Sequence, residues 1–311
     1  MAIILVTPTY RPDFDRFCFQ RESMERCGIE LPHLAIVDTE SVGKFREIPF
    51  RRNLTIVPSR EVLGDAMDRR RRVWGISRKD YRYWITGKGV HGWAAQQLMK
   101  LAAAKIVGTE VMVCLDSDTF FVDRVTEADF LSDDGRVHLY ETTNDLDVEM
   151  AEWYAHSLRF FGIKEAGVPL RRFTHSPVPM HCGVVRDMLA EIERRHGMSW
   201  MEAMIRGDRI MEYTTYGVYA RHVDDCRRVC PVKPELTLYY WWKGDGDPAM
   251  DLEKRLASSG EKLVLVNSNT NRTVAEYADR VRIFWDRKVC VHPEEAATAA
   301  VTASLEGISQ L

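Results

Sequence analysis

Two aspartates stand one residue apart at the end of an apolar run, in the stretch VMVCLDSDTFFVD at 111–123. Charges this close repel each other and resist burial unless something positive lies beside them. Alternate side chains of an extended chain point to one side, so Asp116 and Asp118 are expected to face the same way. Two hard carboxylate groups suit Mg²⁺ or Mn²⁺, with water and substrate phosphates as the other ligands. The pair therefore predicts a divalent metal site.

Two other interpretations of the pair stay open. The acids could merely cap a turn, with the side chain of Asp118 bonded to nearby backbone. An apolar strand followed by D-x-D also resembles the haloacid-dehalogenase-like phosphatases, in which the first aspartate is the nucleophile and the second is the acid. That pattern requires Thr or Val two positions after the second aspartate, where this sequence has Phe120. The phosphatase interpretation is weaker for that reason.

Apolar periodicity indicates the elements that must position the pair. Short β-type runs at 2–6, 33–38 and 54–57, with a helical pattern after the first run, predict a β-α-β-β opening. The stretch GWAAQQLMKLAAAKIVG at 92–108 is rich in helix formers, ends on glycine and leads directly into the strand before Asp116. Ligands of open α/β sheets collect at the carboxyl ends of the strands, where the two aspartates would lie.

The alternation of helices and strands continues downstream. Four further helices are predicted, at 147–162, 184–197, 199–207 and 247–260. One further strand is predicted at 262–266. We therefore predict an α/β fold in which a mixed sheet is flanked by helices, as a single domain over residues 1–290. The C-terminal tail at 291–311 is expected to be a weak helix or disordered.

Composition narrows the functional classes. The chain has 311 residues, 45% of them hydrophobic and 29% charged, which is typical of a globular protein. A net charge of -3 argues against non-specific nucleic-acid binding, and no apolar run approaches the ~20 residues of a membrane helix. The seven cysteines form no C-x-x-C pair, so we expect reduced thiols and no structural zinc. We expect a cytoplasmic protein; the basic cluster MDRRRRVW at 67–74 is a solvated helix face or a peripheral contact with the inner face of the membrane.

The resemblance to a known family reaches beyond the two aspartates. The stretch at 100–123 resembles the helix, gap and D-x-D strand of GT-A-fold nucleotide-sugar glycosyltransferases of the glycogenin and lipopolysaccharide-galactosyltransferase type. PMHCGVVRDML at 179–189 resembles that group's F-N-x-G-V-M segment, which lines the donor sugar, with His181 at the Asn position. MEYTTYGVYA at 211–220 lies where many of these enzymes carry an acidic residue facing the sugar. The opening TPTYRPD and the later GWxxQQ are similar to uncharacterised bacterial proteins of this type.

This resemblance covers roughly residues 1–272 and implies a GT-A-like, Rossmann-like sheet. It implies a metal-dependent transferase that moves a sugar from a nucleotide-diphosphate donor, uridine-linked, to a saccharide or glycolipid acceptor in cell-surface polysaccharide synthesis. The contrasting possibility is a non-catalytic nucleotide- or carbohydrate-binding protein that has kept the fold.

Donor contacts are implied at the ends of the first two strands. The segment Thr7 to Tyr10 would form the loop that holds base and ribose, with Pro8 stiffening it and Tyr10 stacking on the base. A plain strand-to-helix turn is the alternative. Asp38 ends the second strand, where an acid can bond ribose hydroxyls or simply belong to a turn.

Other donor contacts are implied around the D-x-D. Lys100 resembles the basic residue that meets the donor phosphates, and it shares a helix face with Gln97, three residues before it. A solvated lysine is the alternative. Ser117 lies between the two metal-binding aspartates and would contact the nucleotide sugar. His181 lies in an irregular segment, and we expect it to contact the sugar and not a metal.

Glu212 is the residue to which the reaction itself is assigned. It could deprotonate the acceptor hydroxyl in an inverting displacement, or brace positive charge at the anomeric carbon in a retaining one. A surface glutamate is the alternative. Tyr216 and Tyr219 share its helix face and are expected to stack on carbohydrate. His292 is the weak candidate for a third metal ligand.

Overall fold

The protein is described here by a computed structural model that covers residues 1–68, 92–143, 147–165, 167–174, 176–207, 211–233, 236–241, 245–267 and 270–291. The basic cluster after Asp68, His292 and the tail from 292 onward lie outside these residues. α-Helices and β-strands alternate along most of the described chain. None of the described helices is both long and apolar enough to cross a bilayer.

Ten strands occur in the described residues: β1 (Ile3–Thr9), β2 (His33–Val37), β3 (Leu54–Pro58), β4 (Val111–Cys114), β5 (Thr119–Phe121), β6 (Val137–Tyr140), β7 (Val178–His181), β8 (Val229–Val232), β9 (Thr237–Tyr240) and β10 (Leu263–Val266). The described α-helices are α1 (Phe14–Arg26), α2 (Val42–Phe45), α3 (Ser59–Leu63), α4 (Gly92–Ala103), α5 (Val148–Phe160), α6 (Cys182–His196), α7 (Trp200–Arg206), α8 (Glu212–His222), α9 (Pro248–Ser259) and α10 (Val274–Val291). Two 3₁₀ turns lie at Arg11–Asp13 and Glu127–Asp129.

The central sheet has five strands in the order β3-β2-β1-β4-β7. The first four of these run parallel, and β7 is antiparallel to β4. The parallel strands therefore end at one edge of the sheet, which we call the carboxyl edge. Tyr10 and Asp38 follow β1 and β2 directly, and Asp116 lies two residues beyond β4. The register thus brings predicted donor-binding positions from three strands to the same edge.

A second sheet begins where the central sheet ends. After β4 the chain passes through Leu115 to Asp118 and enters β5, which belongs to a three-stranded sheet of order β5-β10-β9. The backbone N–H of Val266 in β10 donates to the carbonyl of Asp118 at 3.1 Å. A third, two-stranded sheet pairs β6 with β8. The two aspartates therefore form the connection between two sheets.

The core follows from this arrangement. The largest group of buried apolar side chains includes those of the central strands, α4 and α6. A smaller cluster, which includes Phe19, Phe120, Tyr277 and Trp285, packs α1 and α10 on the second sheet. The indole N–H of Trp285 donates to the carbonyl of Phe121 at 3.1 Å, which anchors α10 directly behind the D-x-D connection.

The predicted α/β class, with a mixed sheet flanked by helices, is confirmed. The three opening strands and the helix after the first strand are present, but the short helix α2 lies between β2 and β3, so the opening is β-α-β-α-β and not β-α-β-β. Each of the four downstream helices forms. Asp147, Ser199 and Asp247 cap their helices by accepting backbone N–H bonds, as their types and positions indicate. The boundary predicted after residue 290 stays a prediction.

Candidate active site

The D-x-D segment is a turn and not an extended strand end. The N–H of Thr119 donates to the carbonyl of Asp116 at 3.1 Å, so the chain reverses over Asp116, Ser117 and Asp118. The expectation that strand alternation aligns the two carboxylates is therefore wrong, because β4 already ends at Cys114. What holds the acids in one region is the turn itself. The hydroxyl of Ser117 donates to Asp13 Oδ2 at 3.1 Å, which brings a third carboxylate to the turn.

Asp118 is held where its charge is poorly compensated. Its Oδ1 atom is buried and accepts no hydrogen bond from the described residues. Burial and, after it, the charges of Asp116 and Asp13 together raise the pKa of Asp118 to about 7, against the opposing effect of Arg16. A backbone hydrogen bond within Asp118 itself also lowers this pKa, so a local turn contact is present, but it leaves Oδ1 without a donor among the described residues. The orphaned oxygen instead fits a site for a cation.

Lys100 is buried between two carboxylates. Its ammonium donates to Asp116 Oδ1 at 2.7 Å and to Glu212 Oε1 at 2.9 Å, and it lies 4.4 Å from the ring centroid of Tyr213. Burial lowers the pKa of Lys100, but Asp116 and Glu212 outweigh burial and hold that pKa well above its usual value. Lys100 is therefore charged at neutral pH, and the alternative of a solvated lysine is excluded by its 5% exposure.

Glu212 begins α8 and is only 1% exposed, so it is not a surface glutamate. Its backbone N–H donates to Gln97 Oε1 at 3.1 Å. Gln97 and Lys100 thus use one face of α4 to hold both the backbone and the carboxylate of Glu212. Burial raises the pKa of Glu212, and Lys100 opposes that rise. The Oε2 atom is buried and has no hydrogen-bond partner among the described residues.

The charges around the turn do not balance. Arg16 donates to Asp13 Oδ1 at 3.0 Å, and Lys100 bridges Asp116 and Glu212. Together with Asp118, four carboxylates of the described chain face two cations. Two negative charges are therefore uncompensated if all four acids are ionised, which is the charge that one dication would neutralise.

The donor set fits Mg²⁺ or Mn²⁺ in kind, since it offers carboxylate oxygens and no thiolate. Among the described residues, no group of three or more His, Cys, Asp or Glu side chains is arranged to hold a metal ion. Within the described ranges, Asp116 and Asp118 therefore have no third protein ligand arranged beside them. Water and phosphate oxygens commonly fill that role for Mg²⁺.

A chain of hydrogen bonds supports the turn from behind. Gln20 in α1 donates from Nε2 to the carbonyls of Asp116 at 2.9 Å and Thr119 at 3.0 Å. Its Oε1 accepts from the Thr7 hydroxyl at 3.1 Å. That hydroxyl lies 2.9 Å from His33 Nε2. Gln20 was not among the predicted site residues, although it lies four residues after Arg16 and so shares a face of α1 with it.

Thr7 and Pro8 are placed differently from the prediction. β1 continues through Thr9, so both residues lie in a strand and not in a loop, and both are buried. The Thr7 hydroxyl is committed to Gln20 and His33. Thr7 therefore supports the D-x-D turn through Gln20 and does not offer its side chain to a ligand.

The protonation state of His33 follows from its partners. Arg21 Nη1 lies 3.0 Å from His33 Nδ1 and can only donate, so Nδ1 accepts and Nε2 carries the proton. Burial and then Arg21 hold the pKa of His33 well below its usual value. The imidazole is thus neutral in the folded protein.

Acid should weaken the fold through His33. The unfolded chain binds this proton near pH 6.5 and the folded chain only at lower pH, so stability is full above that value. It should then fall by up to ~1.4 kcal/mol per pH unit until the folded-state pKa is reached. Urea unfolding at several pH values between 5 and 8 measures the net slope, to which Asp118 contributes with the opposite sign because its pKa is raised to about 7. Relative to the wild type, His33→Gln should therefore lose less stability, or gain more, as the pH falls below 6.5. The control His156→Gln should keep the wild-type slope; equal slopes in all three proteins would contradict the assignment.

Tyr10 and Asp38 lie at the carboxyl edge as expected. Tyr10 is 43% exposed, so its ring is available for stacking. Burial raises the pKa of Tyr10; Asp13 and, more weakly, Asp38 add to that rise, whereas Arg16 opposes it. Asp38 accepts from the Ser41 hydroxyl at 2.7 Å on Oδ2.

His181 is at the other edge of the sheet. In the antiparallel pair of β4 and β7, His181 lies opposite Val111, the first residue of β4, whereas Asp116 follows the last. Its Nδ1 accepts from the N–H groups of Gly183 and Val184 at 3.0 and 3.4 Å, so it caps α6. The predicted contact between His181 and the donor sugar is therefore corrected: the side chain is a helix cap.

Tyr216 and Tyr219 are also corrected. They are 0% and 7% exposed and belong to the main core, so they are not free to stack on carbohydrate. The Tyr216 hydroxyl accepts from the N–H of His181 at 3.0 Å. Their helical spacing reflects packing of α8 and not a ligand-binding face.

No curated protein matches the sequence. Similar solved structures include the galactosyltransferase LgtC with donor and acceptor sugar analogues, at 11% identity and a TM-score of 0.46, covering 91% of this chain and 95% of that one. Mouse xyloside xylosyltransferase 1 has 12% identity and a TM-score of 0.44; the match covers 86% of this chain and 98% of that one. Core-mannan synthase A from Aspergillus fumigatus, in its Mn/GDP form, has 10% sequence identity and a TM-score of 0.46; the match covers 74% of this chain and 72% of that one.

The chain resembles glycosyltransferases of the GT-A type, as predicted from the sequence. With TM-scores below 0.5 the likeness is distant, and it assigns no reaction to this protein. A family model matches residues 13–288, and the chain therefore belongs to DUF6492, a family of unknown function.

Proposed function

We propose that this protein is a metal-dependent glycosyltransferase that moves a sugar from a nucleotide-diphosphate donor, uridine-linked, to a saccharide or glycolipid acceptor in cell-surface polysaccharide synthesis. The observation that supports this proposal is the charge imbalance at the D-x-D turn. Four carboxylates face Lys100 and Arg16, and the buried Oδ1 of Asp118 lacks a donor among the described residues. A dication bound with a diphosphate would complete such a site.

Asp116 and Asp118 would hold Mn²⁺ or Mg²⁺. The ion would supply Lewis-acid neutralisation of the diphosphate leaving group. The protein's own part is to keep both carboxylates in place before the ion binds. Gln20 does so through the backbone of the turn, and Lys100 through Asp116 Oδ1.

The remaining donor contacts are proposed from position. Tyr10 would stack on the base and Asp38 would bond ribose, since both directly follow strands that end at the carboxyl edge. Ser117 would contact the nucleotide sugar from within the turn. Lys100 uses two of its three N–H donors on carboxylates, so one is left for a phosphate oxygen.

Glu212 keeps its assignment to the reaction as a proposal, and its burial favours one of its two predicted roles. An acceptor hydroxyl does not reach a carboxylate that is 1% exposed without a rearrangement of the site. Bracing positive charge at the anomeric carbon needs no exposure, because electrostatic effects extend further in a low-dielectric interior. Lys100 neutralises only one of the two carboxylates that it joins, so the effect would come from the negative charge that Glu212 and Asp116 keep in excess of that ammonium.

The same burial also favours a second candidate, a protein of this fold that binds a nucleotide sugar without transferring it. Product formation separates the two functions. The cellular place that we propose for either is the cytoplasm, with peripheral contact at the inner face of the membrane.

A panel of nucleotide sugars with and without Mn²⁺ tests the proposal. A donor at a hundred times its Kd should add about 2.7 kcal/mol to stability, seen as a rise in Tm that disappears with EDTA. Release of nucleoside diphosphate in the presence of sugar acceptors then tests for transfer. No rise in Tm with any donor would refute both the transferase and the binding protein. A rise in Tm without release of nucleoside diphosphate would refute the transferase and support the binding protein.

A further inference from the structure

A cavity of about 270 Å³ opens between β6, β9 and the segment that leads into β7. Neither the metal site nor the donor contacts described above use it. Its lining includes polar and charged side chains: Tyr140, Thr142, Arg172, Ser176, Thr237 and Tyr239.

The cavity adjoins the D-x-D turn. β7 begins at Val178, which lies opposite Cys114 at the end of β4, so Ser176 precedes β7 on the side where the turn follows β4. In the second sheet Tyr239 lies opposite Leu265, and Leu265 lies opposite Thr119. Burial raises the pKa of Tyr239, and Asp116 adds to that rise. The cavity is on the β7 side of Asp116, whereas Tyr10 and Asp38 are on the β1 and β2 side.

Arg172 gives the cavity a positive charge. Its Nε donates to the Thr174 hydroxyl at 3.1 Å, and no carboxylate of the described chain forms an ion pair with its guanidinium. The neighbouring Arg171 is different, since it pairs with Glu141 at 2.7 Å. Arg172 therefore presents N–H donors to the cavity without a charge partner in the described part of the chain.

Ser176 adds a second unused polar group. The residue is 5% exposed, and its hydroxyl has no hydrogen-bond partner within the described ranges. The Thr237 and Tyr239 hydroxyls donate to the Ser176 carbonyl at 2.7 and 2.9 Å, which fixes the backbone beneath that hydroxyl. A buried hydroxyl without a partner is unfavourable unless a ligand or water supplies one.

We propose that this cavity binds an acidic sugar, with its carboxylate or phosphate on Arg172 and the hydroxyl of Ser176. A guanidinium offers two parallel N–H donors to such a planar or tetrahedral anion. The cavity's position beside Asp116 makes it the place for the sugar end of the reaction and not for the nucleotide. This assignment deepens the proposed transferase function and rests on it, because it names the charge class of the sugar that the site accepts.

Direct binding tests the cavity without any donor or metal. In EDTA, glucuronate and glucose 6-phosphate should bind to the wild-type protein at least about tenfold more tightly than glucose, as measured by calorimetry. Arg172→Gln should remove this preference, while Arg194→Gln, which deletes an exposed arginine on α6, should keep it. Equal affinity for the acidic sugars and glucose, or equal loss in both variants, would overturn the proposal.

Ser176→Ala keeps the test decisive if Arg172→Gln fails to fold. Its hydroxyl makes no hydrogen bond to the described chain, so the variant should keep the wild-type Tm. Its affinity for acidic sugars should nevertheless fall at least about threefold, because the ligand loses one hydrogen bond. Unchanged affinity in this variant would count against the site.

Two further arms identify the source of the anion. With Mn²⁺, a preference for UDP-glucuronate over UDP-glucose that Arg172→Gln abolishes would place the acid on the donor. A preference confined to the free acidic sugars would place it on the acceptor. Binding of acidic sugars in EDTA but no nucleotide-sugar binding would refute the transferase and retain the cavity as an anion site.

Discussion

Replacing Asp118 by asparagine should abolish Mn²⁺-dependent stabilisation and reduce sugar transfer by about a thousandfold, which corresponds to about 4 kcal/mol. The substitution keeps the size of the side chain and removes its charge. The fold itself should not suffer, because Oδ1 accepts no hydrogen bond from the described residues and burial already disfavours the ionised form. We expect the metal-free variant to be at least as stable as the wild type at pH 8.

Two measurements check this expectation. The change in Tm on adding Mn²⁺ reports on the ion without requiring a known acceptor, and release of nucleoside diphosphate reports on the reaction. The matched control is Asp123→Asn, which removes a 45%-exposed carboxylate five residues further along and should change neither. A Mn²⁺ response of wild-type size in Asp118→Asn would exclude Asp118 as a metal ligand.

Replacing Lys100 by methionine should lower the free energy of unfolding by about 3–5 kcal/mol. In the wild type the Lys100 ammonium lies 2.7 Å from Asp116 and 2.9 Å from Glu212. The variant removes this ammonium and leaves both carboxylates without their shared cation. Breaking a buried ion pair on one side is costly because the remaining charge is left desolvated. Part of the loss should return in the double variant Lys100→Met, Glu212→Gln, since one of the two unpaired charges is then gone.

Urea unfolding of the wild type, the two single variants and the double variant completes the cycle. Additive effects would show that Lys100 and Glu212 are not coupled, contrary to their contact. Lys105→Met, which removes an exposed lysine just after α4, is the control and should change stability by less than about 0.5 kcal/mol. For Glu212→Gln alone, a fall in kcat with unchanged KM would indicate a role in the reaction, and unchanged kinetics a purely structural one.

The part of the site that the sequence predicted well is the part set by local pattern. The apolar run before Asp116 and the helix that carries Lys100 were visible in short stretches, and the i, i+3 spacing correctly placed Gln97 and Lys100 on one face. The contact between Lys100 and Glu212 joins residues 112 positions apart. No local pattern encodes such a pairing, because it arises only when α4 and α8 pack together.

The predictions that His181, Tyr216 and Tyr219 contact sugar were wrong for physical reasons. The direction of β7 decides which edge of the sheet His181 reaches, and a four-residue strand carries no sign of its direction. Tyr216 and Tyr219 occupy a helix that is buried on nearly all sides, where aromatic spacing does not separate core from ligand contact. The sequence does carry a signal for α10, because its buried positions Tyr277, Ala278, Val281 and Trp285 follow the helical period.

The amide of Gln20 fixes the shape of the D-x-D turn before any ligand arrives. One side chain from the first helix occupies the carbonyls on both flanks of the turn, and its own oxygen is secured by Thr7. An incoming ion would therefore meet a preset frame in which only the carboxylate torsions can adjust. Exchange of one ion for another would need no backbone rearrangement at the turn, and mutations within α1 would reach the chemistry without touching a substrate.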